Sequence, residues 1–195
     1  MTFRAREVIL KLAFVREWSS EGRRSGGQVP LFLYYDGGNM RRKDREMSKE
    51  FALGVVDKCE WATAAMIDTE GAPYAVTLSV VRMGDGIYFH SAMSGYKTEC
   101  LRRDPRVCVT CVGHTRRATD AFTTYYESAV VRGRASEVTD EREKIAALKA
   151  LCERHTPANM ADFDNALRRS LARTAVWRIS IEGITGKAKL DLPKA

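Results

Sequence analysis

Apolar positions change period several times along this chain, and each change marks an element. Between residues 41 and 58, Met47, Phe51, Val55 and Val56 recur at helical spacing with charges between them, which predicts an amphipathic helix. The period then falls to two. Residues 60–68 are rich in β formers, Thr69-Glu70-Gly71 reads as a turn, and residues 72–83 alternate Val76, Leu78 and Val80 against Thr77, Ser79 and Val81. Gly84-Asp85-Gly86 predicts a tight hairpin into Ile87-Tyr88-Phe89-His90, because glycine accepts the positive φ of such turns.

Beyond Gly95 a short helix is predicted over residues 96–103, stopped by Asp104-Pro105, since proline cannot continue a helix and biases its predecessor away from it. Residues 106–113 form the next strand, 114–124 a polar loop, and 125–138 a further long strand. Asp140, with Glu143 three residues on, caps a helix whose apolar stripe is Ile145, Leu148 and Leu151. A second helical stretch over 159–172 leads into a final strand, 174–182. The expected fold is mainly β with inserted helices, a six-stranded antiparallel barrel rather than a parallel βαβ sheet.

Residues 1–39 differ from this pattern. A short apolar run, a Ser, Gly and Arg rich patch and a second apolar run ending in Asp36-Gly37-Gly38-Asn39 share no lasting period. Three readings stay open: a docked helix and strand, a flexible arm, or an extension upstream of a true start at Met40. The domain is expected to occupy residues 40–195.

The length of 195 residues suits one domain with an appendage. The net charge of +7 comes from 32 basic and 25 acidic residues that are interleaved, a mildly basic surface able to attract a phosphorylated small molecule. Nucleic-acid binding has little support, because Arg23-Arg24 and Arg41-Arg42-Lys43 lack interleaved stacking aromatics. No apolar run approaches the roughly 20 residues of a membrane span. The five cysteines are an odd set with no signal peptide ahead of them, which predicts reduced thiols in a cytoplasmic protein. Cys108 and Cys111 stand three apart in a strand and so face opposite sides, which argues against a shared metal or disulfide and reads as buried structural thiols.

The usual catalytic signatures are missing: no Walker loop, dinucleotide fingerprint, HExxH pair or GxSxG elbow occurs. The most informative stretch runs from Ile87 to Val107. There a strand ends in His90-Ser91-Ala92, Gly95 releases the chain, and Lys97 opens a helix. Such a junction suits phosphate, because hydroxyls, free backbone N–H groups, a helix N-terminus and one ammonium converge. A merely solvated lysine is the plainer alternative. His90 has the near-neutral pKa of a proton-transfer group, whereas His114 and His155 read as surface residues. Arg116 and Arg117 read as solvated, with a clamp on a second phosphate as the alternative, and Trp177, Tyr125 and Tyr126 as core or interface aromatics.

These motifs resemble the pyridoxamine 5'-phosphate oxidase-like flavin-binding split barrels, and specifically their 5-nitroimidazole-reductase branch. The likeness rests on the strand Ala72-Pro73-Tyr74-Ala75-Val76-Thr77-Leu78-Ser79, on Phe89-His90-Ser91-Ala92, on Gly95-Tyr96-Lys97, on Asp104-Pro105-Arg106-Val107, and on the late run from Trp177 to Lys187. It spans about Met40 to the end. The resemblance implies a homodimer with FMN in two grooves between subunits. It implies that Ala75, Val76, Thr77, Leu78 and Ser79 flank the flavin, that Ser91, Tyr96 and Lys97 hold its phosphate, and that His90 is the catalytic candidate.

On this reading the protein is an FMN-dependent oxidoreductase, taking electrons from a small-molecule donor and passing them to an organic acceptor such as a nitroaromatic, as in nitroimidazole resistance. Two alternatives remain: a split barrel binding deazaflavin, or haem with His90 as axial ligand, and a non-catalytic flavin carrier or regulator. Pyridoxamine phosphate oxidation itself is not carried over, because likeness of fold does not transmit substrate.

Overall fold

The computed structural model describes residues 40–191; the readings made of residues 1–39 lie outside these. In chain order the strands are β1 (Glu46–Met47), β2 (Ala62–Ile67), β3 (Pro73–Leu78), β4 (Val81–Met83), β5 (Gly86–Ala92), β6 (Arg106–Arg117), β7 (Thr124–Glu137) and β8 (Thr174–Lys189). The helices are α1 (Lys49–Lys58), α2 (Tyr96–Arg103), α3 (Glu141–His155) and α4 (Phe163–Ser170). All strands join one antiparallel sheet in the order β3-β2-β6-β7-β8-β5-β4, with β1 added to β8. This is the split-barrel architecture expected from the pattern.

The barrel closes where residues 72–83 change partners. The alternation read from the sequence holds through this ribbon, since Val80 lies in the barrel core while Val81 lies under α3. The hydrogen bonds do not hold. Up to Leu78 the ribbon pairs with β2, and from Val81 it pairs with β5. One predicted strand is therefore two, and they form opposite edges of the sheet, joined only through Ser79 and Val80. With the two-residue β1 also added, eight strands replace the six expected.

Two apolar layers follow. Inside the barrel, Ala52, Val55 and Val56 of α1 are fully buried against Ala64, Val109, Val131, Trp177 and Ile179. Outside it, α3 covers β4, β5 and β8 through Ala147 and Leu151 on Val81, Tyr88 and Val176. The Tyr88 hydroxyl donates to Glu143 at 2.7 Å, which fixes α3 over the sheet. Among the described residues the opposite stretch of sheet has no such cover. There Thr63 is paired with Thr77 and Thr110, and Ala65 with Ala75 and Cys108, forming a face of small side chains.

Several boundaries differ from the periodicity. The helix predicted over 41–58 begins only at Lys49, because the Ser48 hydroxyl accepts the Phe51 N–H at 3.2 Å and caps it. Ahead of the cap, Lys43–Arg45 form a 3₁₀ turn, and Met47 pairs with Gly186. β6 and β7 run on to Arg117 and from Thr124, so the polar loop narrows to residues 118–123. β8 continues seven residues past 182, and its glycines sit in the ladder rather than ending it. A bulge between Arg132 and Gly133 absorbs the mismatch; there the backbone of Ser180 occupies the space of any Cβ at Gly133. The helical stretch 159–172 is α4 flanked by 3₁₀ turns. Helix α2 spans the residues predicted for it, and the Asp140 carboxylate caps α3 by accepting the Glu143 N–H at 2.8 Å. Among the described residues no helix is long and apolar enough to cross a membrane.

Candidate functional site

Helix α2 lies against an aromatic pair. Phe89 of β5 and Trp177 of β8 are cross-strand neighbours whose rings stack with 6.4 Å between centroids and 8° between planes. Two cations of α2 stand over them: Lys97 Nζ lies 5.3 Å from the Phe89 centroid, and the Arg102 guanidinium 5.7 Å from that of Trp177. Their charges are handled differently. Arg102 pairs with Glu137 at 2.9 Å and also donates to the Met93 carbonyl, whereas Lys97, half-buried, has no carboxylate among the described residues. Burial lowers the Lys97 pKa from its ordinary value.

The helix start next to this ammonium is uncapped. Gly95 occupies the N-cap with φ of +142°, a conformation for which glycine is suited, and contributes no side-chain acceptor. The first backbone N–H to be satisfied within the helix is that of Glu99, on the Gly95 carbonyl. Ser91 supplies a hydroxyl, which here donates to the Ala92 carbonyl at 2.8 Å. Tyr96 packs edge-on to Tyr74 with 5.1 Å between centroids, so the start of α2 adjoins the start of β3. The Tyr96 hydroxyl bonds the side chains of Thr69 and Asp68 in the β2–β3 turn. Its backbone N–H is what remains for a ligand at the helix start.

Along β3 the named residues divide by face. Ala75 and Thr77 point outward and are exposed, Ser79 is half-buried, and Val76 and Leu78 turn toward the core. Because β3 is an edge strand, its second edge presents backbone donors and acceptors that no strand among the described residues uses. Val76 and Leu78 therefore offer a ligand their backbone alone.

His90 stands on β5 beyond Phe89 and is exposed to solvent, yet the protein around it lowers its pKa from the ordinary imidazole value. Desolvation is the largest cause, followed by the charges of Lys97 and His155. The ring is thus neutral at pH 7. His155 corrects the sequence reading, which left it on the surface: it is half-buried, its Nε2 donates to the Val80 carbonyl at 2.9 Å, and it stacks on Trp61 at 6.5 Å. Only the tertiary fold brings the end of α3 to Val80, so no local signal marked it.

Other expectations resolve as follows. Cys111 is buried and Cys108, half-buried, faces the other side of the sheet, as strand periodicity requires. The neighbour of Cys111 is instead Cys59, with which it shares a hydrogen bond. Arg116 is not simply solvated, since it pairs with Asp191 and lies over Tyr125. Trp177 is core, as expected. A cavity of about 590 Å³ between α3 and α4 includes Met93, Glu137, Lys144 and Arg168, and none of the nine candidate residues lines it.

The profile of the pyridoxamine 5'-phosphate oxidase family matches residues 61–188. A candidate 5-nitroimidazole antibiotic resistance protein of Bacteroides thetaiotaomicron is 26% identical, with a TM-score of 0.62 over 73% of this chain and 86% of its own. An FAD and heme binding protein of Mycobacterium smegmatis, 22% identical, has a TM-score of 0.64 over 77% of this chain and 76% of its own. An FAD-binding protein of Mesorhizobium loti, also 22% identical, has a TM-score of 0.54 over 75% and 97%. The last two likenesses are of fold alone. No curated protein matches the chain. With two thirds of its length matched by the family profile, the chain belongs to the pyridoxamine 5'-phosphate oxidase-like family of flavin-binding proteins.

Proposed function

We propose that the protein is an FMN-dependent oxidoreductase that reduces a small organic acceptor of the nitroaromatic class. The observation that carries this reading is the half-buried Lys97 ammonium, which has no carboxylate partner among the described residues beside the uncapped start of α2. A cation held partly out of water with no counter-ion is costly unless an anion joins it. The donors there, an ammonium, backbone N–H groups and the Ser91 hydroxyl, match a phosphate monoester.

FMN, when bound, supplies the transfer of a hydride or single electrons. The chain itself would do the rest. Lys97, Ser91 and the α2 amides hold the phosphate; the free edge of β3 and the outward Ala75 and Thr77 orient the planar ring system; and His90, whose surroundings favour its neutral form, takes a proton from solvent and passes it on to the reduced acceptor. The uncovered face around Thr63, Ala75, Thr77 and Thr110 fits a second copy of the chain, which encloses the flavin and makes the working unit a homodimer.

A second reading keeps the site and changes the group to deazaflavin or haem. The exposed, neutral His90 favours haem, since a neutral imidazole is an axial ligand. The absorption spectrum of the purified protein decides between them. Flavin bands support FMN; a Soret band, deazaflavin absorption or no chromophore after reconstitution with FMN contradicts it.

A further inference from the structure

Trp61 is 55% exposed, an unusual position for the largest apolar side chain. It is nevertheless fixed. His155 lies against it with only 23° between the ring planes, and His155 is itself held by the Val80 carbonyl. One residue earlier, Arg154 donates to the carbonyls of Val56 at 3.0 Å and Cys59 at 2.6 Å, which ties the last turn of α3 to the end of α1 just before Trp61. A flat aromatic surface is thus presented to solvent on a stiff support.

Its place relative to the candidate site follows from the strand register. Val81 pairs with Tyr88, and Val80 is the residue just ahead of that ladder, in the same core cluster as Phe89. The Val80 carbonyl that anchors His155 therefore belongs to the link entering β4, one residue from the strand whose partner β5 continues from Tyr88 to Phe89 and His90. The charges of both Lys97 and His155 reach His90.

We propose that Trp61, backed by His155, is the stacking platform for the electron-poor aromatic ring of the acceptor, holding it within reach of His90. The proposal rests on the flavin reading above. An electron-rich indole face favours an electron-poor ring such as a nitroimidazole over an aliphatic or anionic molecule. Trp61 is then a positioning residue for the reactant, and His155 one for Trp61.

The test is equilibrium dialysis of 2-methyl-5-nitroimidazole against the full chain loaded with FMN, comparing the parent with Trp61→Phe and Trp61→Ala. The expected result is a three- to ten-fold weaker affinity in Trp61→Ala, about the worth of one aromatic stack, near-parental affinity in Trp61→Phe, and FMN affinity unchanged in both. Equal nitroimidazole affinity in all three, or no saturable binding to the parent, overturns the platform while leaving the flavin reading standing. Loss of FMN itself in Trp61→Ala also overturns it, because Trp61 would then belong to the cofactor groove. If the parent binds no FMN but nitroimidazole binding still depends on Trp61, the stacking contact is upheld, while the flavin reading, and with it the role of Trp61 toward an electron acceptor, is overturned.

Discussion

The Lys97 ammonium stands 5.3 Å from the centre of the Phe89 ring, a contact that steadies a cation without neutralising it. His90, the next residue along β5, feels that charge. Desolvation, then Lys97, then His155 lower the His90 pKa. Its protonation therefore opposes the folded state: the stability it contributes is complete above the ordinary imidazole pKa and is lost as pH falls through the lowered one. Replacing Lys97 by Met, or neutralising it with a phosphate, should move the His90 pKa up. NMR titration of the ring protons reads this, and an unchanged His90 midpoint in Lys97→Met contradicts it.

Gly133 faces Ser180 at the bulge between β7 and β8, where an added Cβ collides with backbone. Neither strand edge moves cheaply, because both are paired on either side. Gly133→Ala should destabilise the fold by about 2 to 4 kcal/mol. Gly71 has open space around its added Cβ, so Gly71→Asn, whose residue tolerates its φ of +90°, is the matched control. Chemical denaturation of the two variants checks the contrast.

Arg154 joins α3 to the end of α1 through the Val56 and Cys59 carbonyls. Arg154→Ala should cost about 2 kcal/mol, the worth of charged hydrogen bonds left unmade. A second readout separates this from general loosening. The Cys59 thiol is held below its ordinary pKa, first by the Cys111 hydrogen bond and then by Arg154 against the cost of burial. In Arg154→Ala its pKa should rise, which a titration of thiolate absorbance in the folded protein reads. An unchanged or lower midpoint contradicts the assignment.

Both apolar layers are complete within the described residues, the barrel core around α1 and the layer under α3. A chain beginning at Met40 should keep the cooperative thermal transition of the full chain and sediment as two copies at micromolar concentration. Loss of the transition, or a monomer, contradicts the prediction.

What the sequence reveals about this fold depends on whether the signal is local. The α2 boundaries and the Asp140 cap are set by neighbours a few residues apart, Gly95, Asp104-Pro105 and Glu143, and they appear as read. Periodicity also placed Val80 and Val81 on opposite faces correctly. It is silent about hydrogen-bond partners, so the switch from β2 to β5 that closes the barrel was invisible. Glycines misled at the far end, where Gly183 and Gly186 look like breakers yet sit in β8. Around the candidate site, the place of Gly95-Tyr96-Lys97 at the start of α2 appears as read because the pattern is contiguous. The Trp61–His155 contact joins residues 94 apart and carries no pattern.

The central claim is that Lys97 and the start of α2 hold a flavin phosphate. Titration of the apo-protein and of Lys97→Ala with FMN and with riboflavin tests it most directly, because the two ligands differ by that phosphate. Removing one charged hydrogen bond, roughly 1.5 to 3 kcal/mol, should weaken FMN about ten- to a hundred-fold while leaving riboflavin affinity and the thermal transition of the empty protein unchanged. Equal FMN affinity in parent and variant, or equal losses for FMN and riboflavin, would contradict the account.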